Sequence, residues 1–408
     1  MIRFIHLLLV LLVTSSCFAT KPSSMAGNTP SENRLFGTRK VRILFIGNSA
    51  IYFHNLPDIV KSIAASGPNP IDVDCELIAE GGQTLEGHWL EGRAQREIRA
   101  KHWDYVVLQE QSGLNDELEV NGQWLIAGWE SYHRFAKLFD AEAKAVGAKT
   151  VILALWSHKG MPPREQQVLD YGSQSLAREI GAILVPAGSA WHALEARAPN
   201  LTLYFDGFHP TPTASYMFAV TFYATVFHRN PAGLAERAFG TNIDLDDHAG
   251  ANPNELLVDV PKETASEIKQ VAYNVVRHGA REVNMPADPI LPALQAGSPV
   301  TKENLVGSWR GTETLVSSNA APLNIDISSE GDDLLANTHF ALQNPIDEKA
   351  LKGGIDGNVI WFVNPKGISG GYVRYRAVLV GDKLVGIVEV WLQNKLTAIG
   401  TFEASRKT

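Results

Sequence analysis

The chain has 408 residues, 45% of them hydrophobic and 20% charged, with a formal net charge of -8. That length sets two domains as the starting expectation, and the composition is that of a globular protein whose core needs no staples. The acidic balance lacks the basic stripe of a nucleic-acid binder, so no nucleic-acid partner is expected.

At the N-terminus, Arg3 precedes an apolar run from Phe4 to Val13, and small and polar residues lead to Cys17-Phe18-Ala19. This pattern predicts a secretory signal peptide over residues 1–19, cleaved near Ala19, and export to the periplasm or beyond. The run is too short for a permanent membrane anchor. A lipidated Cys17 is the competing reading, with Thr14 standing where such sites usually carry an aliphatic residue. Membrane attachment is expected only in that case. Once Cys17 leaves, Cys75 has no intramolecular partner, so no disulfide framework is expected. Cys75 lies in the alternating stretch Ile71–Leu77, which reads as a strand carrying a buried free thiol.

Residues 20–38 are rich in Ser, Pro, Asn and Lys and read as a flexible leader. Val41–Ile46 is an apolar run of the kind that forms buried parallel strands. Pro57 suits a first helical position, with Ile59, Val60, Ile63 and Ala64 giving an apolar helical face. Further strands are predicted at Tyr105–Leu108, Val151–Leu155 and Ala182–Val185. Helices are predicted over 129–146, 166–180, 213–227 and 262–278. Alternation of this kind predicts a parallel sheet covered on both faces over residues 39–285. Pro286 to Pro299 is proline-rich and reads as part of a linker over 286–302. Beyond it, Asn324–Ile327, Val373–Val380 and Val388–Leu392 have strand character, with turn residues at Asp356-Gly357-Asn358 and Gly381-Asp382. Residues 303–408 are therefore expected to form a small antiparallel barrel or sandwich.

Gly47-Asn48-Ser49 ends the first strand, where open α/β sheets place their ligands. A serine hydroxyl needs a base within hydrogen-bond reach to become a nucleophile. Phe205-Asp206-Gly207-Phe208-His209-Pro210 offers one. Asp206, three residues before His209, can fold back in the turn, accept the Nδ1 proton and leave Nε2 to face Ser49. An oxyanion hole is expected from the Ser49 N–H and a glycine N–H at Gly81-Gly82, with Gly82 as the donor. A third donor is sought after Val106-Val107-Leu108, where Gln109 or Gln111 could supply an amide. His54, His88, His102 and His158 match no compact ligand spacing, so no metal is expected. No cofactor is expected either. Trp89, Trp124 and Trp156 read as core residues first and as a sugar-stacking cleft second.

The ordered blocks Ile46-Gly47-Asn48-Ser49, Gly81-Gly82, the strand-end polar group and Asp206-x-x-His209 resemble the SGNH (GDSL-like) hydrolases. Trp103–Ser112 and His209-Pro210-Thr211 resemble a bacterial exported branch of that family. The resemblance covers residues 40 to about 230. It implies a flavodoxin-like three-layer α/β/α sandwich, Ser49 as nucleophile with His209 and Asp206, and hydrolysis of small acyl esters, often acetyl groups on carbohydrates. Two positions depart from the family pattern. The first block has Gly-Asn-Ser in place of Gly-Asp-Ser. The third lacks the usual Gly-x-Asn-Asp at the strand end. Gly113-Leu114-Asn115-Asp116 matches it but lies farther on. Gln109, where sialate-esterase-like relatives carry a glutamine, is the preferred third donor, with Asn115 as the alternative. The opening of the C-terminal region, Gly307-Ser308-Trp309, looks lipocalin-like. An accessory role in binding or packing is expected for it.

The expected partner is a small-molecule or polysaccharide ester. The competing readings are an acyltransferase using the same triad and a non-catalytic glycan-binding protein that keeps the fold.

Overall fold

The computed structural model describes residues 40–112, 117–120, 122–278, 290–291, 294, 297–315, 319–331, 333–340, 346–363, 371–392 and 395–407. The expected signal peptide with Cys17, the leader, and much of the Pro286–Pro299 segment lie outside them, as does Asn115.

In chain order the first region runs β1 (Val41–Gly47), α1 (Ser49–Tyr52), α2 (Leu56–Ser66), β2 (Val73–Ala79), α3 (Leu85–Glu91), α4 (Arg93–Ala100) and β3 (Tyr105–Leu108). Then come β4 (Glu117–Val120), β5 (Gln123–Ile126), α5 (Trp129–Ala145), β6 (Lys149–Leu153), α6 (Pro163–Ile180), β7 (Ile183–Val185) and α7 (Ala187–Arg197). It closes with α8 (Pro212–Val226), β8 (Arg237–Gly240), β9 (Glu255–Asp259) and α9 (Lys262–His278).

Five strands form a parallel sheet in the order β2-β1-β3-β6-β7. This is the flavodoxin-like order, which leaves a crevice between the loops after β1 and β3. The run in β1 is apolar throughout because both faces are covered. Leu44 and Ile46 join a core with residues of α3 to α6, including Phe135, Phe139 and Leu176. Phe45 on the other face meets Phe222 of α8, ring centroids 5.5 Å apart. From Ala214 to Val226, α8 is buried on every side, which is why its sequence has no polar stripe. Pairing of Gly47 with Ala79 and of Ile46 with Leu108 ends β1, β2 and β3 at one level. The loops that follow therefore share one edge of the sheet. Among the described residues, no helix is long and apolar enough to cross a membrane.

Several elements had no counterpart in the sequence reading, among them the helices α3, α4 and α7 and two strand pairs. β4 and β5 form a hairpin, and β8 pairs with β9. The segment read as a linker carries β10 (Ile290–Leu291), which pairs in parallel with β5, and Leu294, which is buried.

After the short α10 (Lys302–Leu305), the rest of the chain is a closed antiparallel barrel. Its strands are β11 (Gly307–Leu315), β12 (Ala321–Glu330), β13 (Asp333–Phe340), β14 (Ile346–Asp356), β15 (Val359–Val363), β16 (Gly371–Val380), β17 (Lys383–Leu392) and β18 (Lys395–Arg406). Each pairs with its sequence neighbour, and β11 closes on β18. Closure removes the sheet edges that a sandwich would leave. Trp309, Phe362, Tyr375 and Phe402 pack inside with aliphatic residues. On the outside, Val378, Val385, Ile387 and Ile399 pack against Leu118, Val120 and Leu125 of the β4–β5 hairpin. Beside that apolar contact lies a charged one. Arg374 donates to Glu86 at 2.7 and 3.0 Å, Arg376 pairs with Glu130, and both arginines meet Glu389. Burial works against the Glu389 charge, but the two guanidiniums prevail and hold its carboxyl at about 2.

Candidate active site

Ser49 is the first residue of α1, directly beyond β1. Asn48 caps that helix: its side-chain oxygen accepts from the Ala50 N–H at 3.1 Å, and its Nδ2 donates to the Gln83 carbonyl at 2.9 Å. The Ser49 N–H belongs to the first helical turn, whose donors have no partner within the helix.

The turn 205–210 brings His209 to it. Asp206 Oδ1 accepts from the N–H groups of Phe208 (3.1 Å) and His209 (2.9 Å). This Asx-type turn folds the carboxylate back on its own segment. Gly207, at φ 103°, takes the left-handed conformation in between. The turn is anchored from behind by Trp156, whose Nε1 donates to the Phe208 carbonyl at 2.8 Å. The ring of His209 then spans the gap. Its Nδ1 lies 2.7 Å from Asp206 Oδ2, and its Nε2 lies 2.9 Å from Ser49 Oγ. Partial burial alone would raise the Asp206 carboxyl. Hydrogen bonds from the His209 ring and the two main-chain N–H groups outweigh it and hold the carboxyl below its ordinary value. Phe53 approaches His209 edge-on, with centroids 6.0 Å apart.

The serine and imidazole open on a cleft of about 530 Å³, which Asn48, Gly82, Gln111, Ser112, His158 and Phe208 also line. Gly82 has φ 68°, and a Cβ there would meet nothing within 4 Å, so its backbone faces open space. A larger cavity of about 1300 Å³ lies between α5, α6 and the barrel. Its lining includes Ser131 and His133, but Ser131 donates to Glu86 and His133 Nδ1 meets Glu179 at 2.7 Å.

The structure does not bring Gln109 to the cleft. Its side chain is 0% exposed, its Oε1 accepts from the Asn48 N–H at 2.8 Å, and its Nε2 donates to the Glu110 carbonyl. A Cβ on Gly47 would lie 2.3 Å from that oxygen, so the glycine makes room for Gln109 and not for a substrate. Gln111, two residues on, lines the cleft instead. The Glu110 Oε1 accepts from the N–H groups of Gln111 (2.7 Å) and Leu85 (3.1 Å), tying the start of α3 to this edge. Burial pushes the Glu110 carboxyl up to about 8.

The four histidines weighed as metal ligands have local contacts. His88 Nε2 meets the Gly47 carbonyl at 2.7 Å behind the site. His54 stacks on Phe53 and is lowered to about 4 by burial and by the His209 charge. His102 pairs with Asp104, and His158 stacks on Phe208. Among the described residues, no group of three or more His, Cys, Asp or Glu could hold a metal ion. Cys75 is free, and burial raises its thiol. Of the tryptophans, Trp156 is fully buried and stacks on Trp191 and Phe218. Trp89 packs on Phe139 in the core. Trp124 lies under Arg164.

No family model matches the chain, and no curated protein matches it. Solved structures similar to it include a protein assigned as an SGNH hydrolase from Slackia heliotrinireducens. It is 23% identical over 46% of this chain and 100% of that one, with a TM-score of 0.39. A protein assigned as a GDSL-like lipase from Parabacteroides merdae is 15% identical over 47% of this chain and 99% of that one, at 0.37. A catalytic mutant of an acetylxylan esterase from Geobacillus stearothermophilus is 13% identical over 46% and 94%, also at 0.37. The first two are described as SGNH- and GDSL-type hydrolases and the third as an acetylxylan esterase, each matched through about half of this chain.

Proposed function

We propose that the protein is a serine esterase of the SGNH type that removes a small acyl group, in the first instance acetyl, from a carbohydrate. The observation that carries this reading is the unbroken relay from Asp206 through His209 to Ser49, with contacts of 2.7 and 2.9 Å opening on a cleft. In such a relay, Ser49 Oγ attacks the ester carbonyl carbon as its proton passes to His209 Nε2. Asp206 holds the imidazole in the tautomer that leaves Nε2 free to accept, and stabilises the imidazolium. The negative charge on the carbonyl oxygen meets the N–H groups of Ser49 and Gly82 and the amide of Gln111. Collapse expels the alcohol, which takes the proton from His209. Water then repeats the sequence on the acyl-enzyme and releases the acid.

The cleft lining favours a short acyl group. Asn48, Gln111, Ser112, His158 and Asp206 are polar, and Phe208 is its one large apolar residue among those described. Phe205, 61% exposed beside the triad, offers a ring face on which a sugar can stack. Export, read from residues 1–19, puts the substrate outside the cytoplasm.

The test is turnover of p-nitrophenyl acetate by wild type and Ser49→Ala, followed by acetate release from acetylated oligosaccharides. Wild type is expected to hydrolyse both and Ser49→Ala neither. Activity retained in Ser49→Ala overturns the proposal.

A further inference from the structure

One short segment of the α/β domain, residues 80–86, carries Gly82 and is held by the barrel at three points. Lys395, the first residue of β18, forms an isolated antiparallel bridge with Gln83. The Nζ of the same lysine lies 2.8 Å from Glu80 Oε1. Arg374 on β16 grips Glu86 with both terminal nitrogens. These partners are about 290 to 315 positions apart in the chain, so the contacts exist only because the barrel is docked.

Gln83 links the barrel directly to the site. It is 0% exposed, bridges Lys395 on one side, and accepts at its carbonyl from Asn48 Nδ2 on the other. Gly82 lies between the two clamped residues, Glu80 and Gln83. Nothing packs where its side chain would be, so the direction of its N–H is set by its chain neighbours. Besides facing Glu80, Lys395 sits near Glu91 and Asp247, whose carboxyls burial and the neighbouring Glu80 raise and whose charge the ammonium partly offsets.

We propose that the barrel is a positioning device for the oxyanion hole, with Lys395 and Arg374 holding residues 80–86 so that the Gly82 N–H faces the reacting carbonyl. Lys395 and Arg374 are positioning residues and touch no substrate. The inference rests on the esterase reading given above. Loss of an oxyanion donor costs about 100- to 1,000-fold in rate, and a shift of about 1 Å costs a large part of that.

The experiment uses the full chain with Lys395→Glu, Lys395→Met and the swapped pair Glu80→Lys/Lys395→Glu. Turnover of p-nitrophenyl acetate is measured together with amide hydrogen exchange of peptides covering residues 80–86. Lys395→Glu sets a further carboxylate against Glu80, Glu91 and Asp247. It is expected to lower kcat at least tenfold with KM within twofold, and to speed exchange in that segment. Lys395→Met, which keeps the stem and loses the charge, is expected to lower kcat about threefold. The swapped pair restores the local charge balance, and kcat is expected within threefold of wild type. Unchanged kcat and exchange in Lys395→Glu overturn the proposal. So does a loss of activity that the swapped pair fails to restore while exchange stays at the wild-type rate. If wild type hydrolyses no ester, the esterase reading fails. The exchange rates then still decide whether the barrel holds the segment.

Discussion

Asp206→Asn probes the relay at its most informative atom. The carboxylate receives three N–H donors: the ring Nδ1 of His209 at 2.7 Å and the main-chain groups of His209 and Phe208 at 2.9 and 3.1 Å. In the asparagine variant, the amide oxygen keeps the two main-chain donors, and the NH2 group is left facing Nδ1. That ring nitrogen must then accept, so the proton moves to Nε2, which sits 2.9 Å from Ser49 Oγ. Nε2 becomes a donor, and the serine loses its base. Reversing the tautomer in a Ser-His-Asp triad lowers kcat by about 10⁴. At about 1.36 kcal/mol per decade, this corresponds to about 5.4 kcal/mol of barrier. The turn survives, because both main-chain hydrogen bonds remain. The assay is kcat for p-nitrophenyl acetate alongside a thermal melt. A variant within tenfold of wild-type kcat would refute the reasoning. So would a loss of kcat explained by a matching loss of folded protein.

Three further predictions concern the loop after β3. The Glu110 carboxyl titrates near pH 8 in the folded protein against its ordinary 4.5. Between those values the unfolded chain binds fewer protons than the folded one, so wild-type stability falls as pH rises. Glu110→Gln cannot ionise. Its urea midpoint relative to wild type should climb from about pH 5 to about pH 8, and a difference that stays flat would contradict the burial argument. Gln109→Ala leaves the Asn48 N–H without its acceptor inside the core, at a cost of about 1 to 3 kcal/mol in urea unfolding. Gln111→Ala removes a half-buried side chain whose Oε1 has no hydrogen-bond partner, so it should cost less stability than Gln109→Ala. It should lower kcat about 100-fold, as expected for an oxyanion donor. Equal kcat for wild type and Gln111→Ala would remove it from that role.

Much of the α/β region was legible because its signals are local. Val41–Ile46 and Tyr105–Leu108 are apolar without interruption because helices cover both faces of the sheet. The period of Tyr132, Phe135 and Phe139 marks the face of α5 that packs on it. The geometry of the Asp206–His209 turn was readable for the same reason, since three residues suffice to fold the carboxylate back. The choice between Gln109 and Gln111 was not local. It depends on which side of β3 the missing side chain of Gly47 leaves open, and those residues are about 60 positions apart. Trp156 carries no sequence mark that separates a sugar platform from the stack it forms with Trp191 and Phe218. The β4–β5 hairpin was missed because three of its apolar residues, Leu118, Val120 and Leu125, pack against distant strands of the barrel. Arg374 likewise meets Glu86 across 288 positions, a pairing that no periodicity announces.

The central claim is that Ser49 is an activated nucleophile. Its most direct test is reaction of the full chain with a fluorophosphonate, read by intact mass and peptide mapping. Wild type should gain one phosphonyl group, mapped to Ser49, with labelling abolished in Ser49→Ala and slowed strongly in His209→Ala. A folded wild-type protein that takes no label, or carries it on another residue, would contradict the account.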